Sequence, residues 1–481
     1  MLYKQKETHV NHKQTLDIES LVPQNHLVRK LNKIDLSFIY DMVESLYAKN
    51  GPLSIDPVLL FKILIIQHVF GISSMRRTIT EIEVNVAYRW YLGLNFTDKI
   101  PHHSTFGKNY ERRFKDTQIF NNIFSKILEL IRNNGFIDDT TVFIDGTHVK
   151  ANANNKKAIN KTIEIEEHPY QKDIDAAITE SRKLHNKKPL KEKTTIEHKD
   201  IKSSTTDPDC GLFHKGEHKI VFAYTANVCC DRNNFILDLV VFPGNVYDSR
   251  AFVPLYEKLK DNENIKYVAA DAGYKTPSIA KDILESNKIP VFPYKRPMTK
   301  KGFFKKNEYI YNKETDIFTC PNNCTLTYST TNRDGYIEYK SNPKDCEKCP
   351  YKNKCTESKT NTKTLTLHVF HDYMNTAEGY RLIYKNIYKE RSQTIERVFA
   401  DGKENHNLRY TRLKGLQKVT DELTFKFACM NLKKLVTWLD KSGKTYPQNP
   451  YTLIIYLYFI QFMNNNKYLN IKKTTYLKKY G

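Results

Sequence analysis

Two short apolar runs set the first constraint on the fold, because each ends at an aspartate with a glycine close behind it: TVFIDG at 141–146 and YVAADAG at 267–273. Runs of four β-branched, aromatic or small apolar residues are too short for helices and read as buried strands. Each strand is expected to stop at its acid and turn at its glycine, leaving both Asp145 and Asp271 at the rim of a sheet. In open α/β sheets that rim is where ligands bind. The neighbouring pattern supports such a sheet. HKIVFAYTANVCC and FILDLVVFPG flank the turn Asp231-Arg232-Asn233-Asn234 and predict a hairpin-like pair. Residues 250–259 and 277–286 read as helices, and 289–292 as another strand. Three early strands, then helix, strand, helix, strand, describe an α/β fold: a mixed sheet flanked by helices.

The rest of the chain divides around this sheet. A length of 481 residues exceeds one ordinary core and calls for two or three folding units. The first 135 residues read as all-helical. Ser54 is a plausible cap before Asp56-Pro57 and a helix ending at Gly71, and Ser73-Ser74 opens a second helix. The stretch IPHHSTFGKNYERRF reads as a turn, a cap at Ser104 or Thr105, and a basic helix. Short helices carrying Arg76, Arg77, Arg112 and Arg113 suit either a DNA-binding module or a bundle with a solvated basic face.

Charge narrows the partner. Lys and Arg number 76 against 54 Asp and Glu, a formal charge of +22. Phosphates reward clustered cations by counterion release, so nucleic acid competes with membrane surface and mere solubility as the reason for that surplus. Residues 156–202 are polar and charged, and predict a surface helical insertion or a partly disordered arm. The opening Met1 to Lys13 lacks the apolar stretch of a signal peptide. The apolar run 451–463 falls short of a membrane span and reads as a segment packed on protein.

A third acid, Glu396, lies in YKERSQTIERVFADGK, within an expected long helix over 376–400. At about 100° per residue, Tyr388, Arg391, Glu396 and Lys403 share an arc of about 140°, unless Asp401-Gly402 end the helix first. Phosphodiester cleavage needs an activated water and stabilisation of the leaving oxygen, and two divalent cations about 3.5–4 Å apart supply both. Hard cations such as Mg²⁺ or Mn²⁺ take carboxylate oxygens, which makes Asp145, Asp271 and Glu396 the candidate ligands. Arg391 and Lys403 would hold a DNA backbone nearby. Singly, an Asp after a strand is more often a turn former, and Glu396 a surface ion-pair partner. The combination carries the reading.

Four stretches together resemble the DDE transposases of bacterial insertion sequences: PHHSTFGKNYERRF, FIDGTHVKANANNKK, GNVYDSRAF with YVAADAGYKTP, and YKERSQTIERVFADGKENHNLRYTRLKGL. The resemblance runs from about Leu16 to Leu439. It implies an RNase H-like catalytic domain interrupted by an insertion before the final Glu. It implies that Asp145, Asp271 and Glu396 bind two Mg²⁺ or Mn²⁺, and that Tyr388, Arg391 and Lys403 contact transposon-end DNA. Two positions depart from the family pattern: four residues rather than three separate Arg391 from Glu396, and Tyr247 stands where relatives often carry His.

On this reading the chain comprises a helical N-terminal DNA-binding domain (1–135) and the first part of the catalytic domain (136–297, with a charged insertion at 153–202). A Cys-rich insertion (298–364), the second catalytic part with the final Glu (365–440) and a C-terminal tail (441–481) follow. The implied function is a transposase that binds the terminal inverted repeats of its element, cleaves a strand and transfers it to target DNA. It would act as a homodimer bridging both ends, in the bacterial cytoplasm with the nucleoid and not at a membrane. Arg409, Arg412, Lys414 and Lys418 would add end binding. A host-adopted nuclease of the same fold and a catalytically inactive DNA-binding protein are the alternatives.

Nine cysteines, an odd number, suit a reducing compartment with metal or free thiols. CPNNC and CEKCPYKNKC fit the two knuckles of a zinc ribbon, with Cys320, Cys324, Cys346 and Cys349 as first ligands and Cys355 as a substitute. The segment looks too polar to build a core of its own, which favours one structural Zn²⁺. Lys344, Lys348, Lys352 and Lys354 would then lie against DNA. Cys210, Cys229, Cys230 and Cys429 read as core residues. His102, His103, His148, His214 and His218 lack ligand spacing, and His148 is expected to make a local hydrogen bond.

Overall fold

The computed structural model describes residues 17–51, 53–164, 167–191, 198–215, 219–296 and 298–444. They form two units: the residues up to 134 together with those from 425, and residues 135–424. The apolar run 451–463 and His218 lie outside the described residues.

The first unit is helical. Asp56, rather than Ser54, caps the helix Pro57–Val69: its carboxylate accepts the N–H groups of Val58 (2.7 Å) and Leu59 (3.3 Å), and Pro57 takes the first helical position. That helix is buried around most of its surface, through Leu60, Phe61, Ile63, Ile65 and Ile66. Phe61 packs on Phe114, Phe120 and Phe425 at centroid distances of 5.5, 6.2 and 5.8 Å. Phe425 comes from the long terminal helix Leu416–Ser442. Ser74 caps Met75–Val84, and His102, rather than Ser104 or Thr105, caps His103–Asn109. Arg76, Arg77 and Arg112 are exposed. No helix among the described residues is long and apolar enough to cross a membrane.

The second unit is built on a six-stranded mixed sheet. Its strands, numbered within that sheet, are β1 (Thr141–Lys150), β2 (Gly211–Lys215), β3 (Lys219–Cys230), β4 (Ile236–Pro243), β5 (Tyr267–Ala270) and β6 (Ile289–Val291). The order is β2-β3-β1-β5-β6, with β4 also on β3. β3 is antiparallel to β1, β2 and β4, whereas β5 runs parallel to β1 and β6 parallel to β5. Val142, Phe143, Ile144, Val268, Ala269 and Ala270 are fully buried at its centre. The helix Asp248–Tyr256 follows β4 and the helix Pro277–Glu285 follows β5, burying Phe252 and Leu255, and Ile279 and Ile283.

Three expectations are corrected here. β1 does not stop at Asp145 but continues to Lys150, because β3 is long enough to pair with it as far as Ala223. The segment 156–202 is, over its described residues, a folded insertion with strands as well as the expected helix. It contains an antiparallel ribbon (Ala158–Glu164 with His198–Ser204) and the helix Gln171–Leu184. The helix over 376–400 is broken: His371–Ile383, Lys385–Lys389, a 3₁₀ turn at Glu390–Gln393, then Ile395–Asn405. Thr394 interrupts it with φ −112° and ψ −101°, its hydroxyl turned back onto the Glu390 carbonyl at 2.8 Å. The last segment runs through Gly402 instead of ending there.

The Cys-rich stretch is a five-stranded antiparallel meander between Ile310 and His368. Contrary to its polar composition it has a core, made of Phe318, Leu326, Tyr339 and Leu365 among others. Alternation explains this: one face of each strand is apolar although the segment as a whole is not. The Gln171–Leu184 helix packs on it through Ile174 and Ile178, one turn apart, against Phe370. Arg182 donates to Thr330 Oγ1 and the Thr331 carbonyl, both at 2.9 Å, and the His185 ring lies 3.5 Å from that of Tyr328. Two insertions far apart in sequence therefore pack as one accessory lobe.

Candidate active site

Asp145 and Asp271 meet because of strand register. In the parallel pair β1/β5, Ile144 lies opposite Ala270, so the next residues on the two strands emerge side by side. Each carboxylate accepts a nearby glycine N–H, Asp145 Oδ1 from Gly146 at 2.8 Å and Asp271 Oδ1 from Gly273 at 2.7 Å.

A third acid, not singled out by the sequence patterns, joins them. Asp248 sits in the first turn of the helix Asp248–Tyr256. Its Oδ1 lies 3.0 Å from the point a Cβ on Gly146 would occupy, and its Oδ2 lies 2.9 Å from that point on Gly273. The signal was present in the segment GNVYDSRAF, where the acid opens a helix, but nothing in the sequence tied it to strands so distant.

Arg391 faces this group. Its Nη2 donates to Asp145 Oδ2 at 2.6 Å, and its Nη1 donates to the Tyr388 hydroxyl at 3.1 Å, with the guanidinium 5.4 Å from the Tyr388 ring. Only 6% of the Arg391 side chain is exposed, so the ion pair is largely desolvated, and its Nε has no hydrogen-bond partner among the described residues. Burial raises the Asp145 carboxyl to about 6; Arg391 opposes that shift, and Asp271 and Asp248 add to it. Asp248 is likewise raised to about 6, by burial and then by Asp271. Beneath them the fully buried Tyr274 donates its hydroxyl to Asn227 Oδ1 at 2.5 Å, and burial with the three carboxylates pushes that phenol well up.

The remaining predicted residues are less closely gathered. Glu396 is exposed in the first turn of Ile395–Asn405, a helix that packs beside β1, and makes no hydrogen bond or ion pair among the described residues. The continuous helical face expected for Tyr388, Arg391, Glu396 and Lys403 is absent, since the break at Thr394 puts the first two and the last two on different segments. Glu396 and Lys403, seven residues apart on one helix, still share a side. Lys403 lies 5.9 Å from the Phe399 ring. Arg409 is exposed and paired with Glu404, and Arg412 is exposed. His148 is stacked on Phe213 at 3.4 Å.

The five clustered cysteines are all half-buried. Cys320 donates its N–H to the Cys324 carbonyl at 2.8 Å, closing the turn between them. The Cys324 thiol is raised by burial and then by Cys320, Asp345 and Cys346. The Cys355 thiol is raised by burial, opposed by Tyr309 and Lys363, with Cys346 and Cys320 adding. Among the described residues no three His, Cys, Asp or Glu side chains stand ready to hold a metal ion, at either cluster.

Residues 319–436 match a transposase DDE domain, and residues 16–112 match a transposase domain designated DUF772. The chain belongs to the DDE-type transposases. The DDE match spans Tyr388, Arg391, Glu396, Lys403, Arg409 and Arg412, and begins beyond the two aspartates of this transposase. Among solved structures, a piggyBac transposase synaptic complex with hairpin DNA, determined by cryo-EM, aligns over 92% of this chain and 80% of that one. The identity is 9% and the TM-score 0.28, a loose superposition. No curated protein matches the chain.

Proposed function

We propose that this transposase binds the terminal inverted repeats of its own element, cleaves one strand and joins it to target DNA. The observation that carries the reading is the register of β1 and β5, which brings Asp145 and Asp271 together beside Asp248 and Arg391. The run of antiparallel strands into two parallel ones supports an RNase H-like sheet.

The donor type, though not a pre-formed three-ligand geometry among the described residues, suits hard divalent cations such as Mg²⁺ or Mn²⁺. The donors are carboxylate oxygens, and three carboxylates face one guanidinium, an excess of negative charge that burial makes costly. When bound, such cations activate a water and offset charge on the leaving oxygen. Asp145 and Asp271 would hold them, and Glu396 would complete the site from the adjoining helix. Arg391 supplies positive charge toward a phosphate while Tyr388 keeps the guanidinium plane oriented. In the first step a water oxygen attacks phosphorus, the P–O3′ bond breaks, and the 3′ oxygen leaves as a hydroxyl. In the second step that hydroxyl attacks a target phosphate, forming a new phosphodiester and releasing the target's own 3′ oxygen, which takes up a proton. Lys403, Arg409 and Arg412 grip the backbone, and two copies bridge the two ends. A structural Zn²⁺ at the cysteine cluster, with Cys320, Cys324, Cys346 and Cys349 as first ligands and Cys355 as substitute, would complete the reading, although among the described residues these thiols are not gathered into a ready site. Elemental analysis of purified protein tests it, with about one zinc per chain expected.

The decisive assay is cleavage of DNA bearing the element's terminal repeats, in Mg²⁺ or Mn²⁺, by wild type and by Asp145→Ala. Nicking at the repeat boundary that the variant loses while still binding DNA is the expected result. Equal cleavage by both proteins would rule out the assignment. A strand-transfer assay separates a transposase from a nuclease that only cuts.

A further inference from the structure

Gly146 and Gly273, the glycines behind the two aspartates, both have φ values that any residue could adopt, so neither is required by left-handed backbone. β1 carries Gly146 as an ordinary strand residue opposite Asn227. What each glycine lacks is room. A Cβ on Gly146 would sit 3.0 Å from Asp248 Oδ1, and one on Gly273 would sit 2.9 Å from Asp248 Oδ2 and 3.1 Å from Asp271 Oδ1. A single carboxylate is therefore wedged between a strand glycine and a turn glycine, one oxygen toward each.

We infer that Asp248 is a third carboxylate ligand of the divalent-cation site, binding beside Asp145 and Asp271. This rests on the metal-dependent reading above. An acid in a first helical turn often serves only to favour the helix N-terminus, but this one is also packed against Gly146 of β1 and Gly273 of the turn after β5. A second observation points to a ligand. Asn227 is fully buried and its Oδ1 lies 3.2 Å from the same Gly146 point, yet its Nδ2 has no hydrogen-bond partner. Buried amide donors are almost always paired, so this one calls for an oxygen that the described residues do not supply, such as a water on a hydrated cation. The Arg391 Nε is likewise buried and without a hydrogen-bond partner among the described residues.

The test titrates Mn²⁺ into the full chain without DNA and follows the free-ion signal by electron paramagnetic resonance. Wild type is compared with Asp248→Asn, Gly146→Ala, Asp145→Asn and Asp271→Asn, with thermal melting as the check on folding. Gly146→Ala leaves Asp248 in the chain but crowds its carboxylate and no other one, and it decides the matter if Asp248→Asn does not fold. We expect Asp248→Asn and Gly146→Ala each to weaken Mn²⁺ binding at least tenfold. Wild-type affinity in both, with loss in Asp145→Asn and Asp271→Asn, would overturn the role of Asp248 and leave the metal-dependent reading intact. Absence of Mn²⁺ binding in wild type, or its persistence in Asp145→Asn and Asp271→Asn, would overturn both.

Discussion

Asp145 and Arg391 form a buried pair whose neighbours are mostly of one sign. Removing one partner of such a pair leaves the other unpaired in a poor solvent, at a cost of about 3–5 kcal/mol. Arg391→Ala is therefore expected to lower the melting temperature at neutral pH, and to lower it less at pH 5, where Asp145 can take up a proton. The same logic gives a pH dependence to Asp248. Its folded-state value is about 6 against an ordinary 3.8, so in that interval the folded chain holds a proton the unfolded chain has released. Its contribution in metal-free protein thus falls as pH rises through this window, and stays low above it. Asp248→Asn should stabilise the metal-free protein more at pH 7.5 than at pH 5, as read from melting curves. A gain independent of pH would mean the carboxylate is better solvated than its setting between two glycines suggests.

At the scale of elements, the accessory lobe is the clearest departure from what composition implies. The meander has its own apolar face, so metal is not needed to supply a core. Leu326, fully buried in that face, is expected to cost about 2–5 kcal/mol when replaced by Ala, seen as faster hydrogen exchange across the lobe. Chelation of a zinc bound at the cysteines should lower the lobe's protection without erasing it, which distinguishes a staple from a folding requirement. The broken helix belongs to the same scale. A continuous helix would keep Arg391 in fixed angular relation to Glu396; the 3₁₀ turn and Thr394 instead let Arg391 turn inward to Asp145.

For the whole molecule, a surplus of +22 makes binding to DNA a matter of counterions as much as of shape. Affinity should fall steeply and log-linearly with salt. Arg409→Ala with Arg412→Ala should reduce the slope by about one for each phosphate no longer gripped, with little change in which sequence is preferred. An unchanged slope would remove both residues from the interface.

The strands at 141–144 and 267–270, their acids, and the helices after them were readable from the sequence because hydrophobic periodicity and turn chemistry are local. So were the helical character of the first unit and the site of the cysteine turns. What the sequence could not supply was distance. That Ile144 pairs with Ala270, that Asp248 enters between Gly146 and Gly273, and that Ile174 and Ile178 find Phe370 are all decided by strand register and packing between segments far apart in the chain. The aspartates were written in the sequence as candidates. Only the tertiary fold made three of them neighbours, because a carboxylate's electrostatics depend on what lies a few ångströms away rather than on what precedes it in the chain.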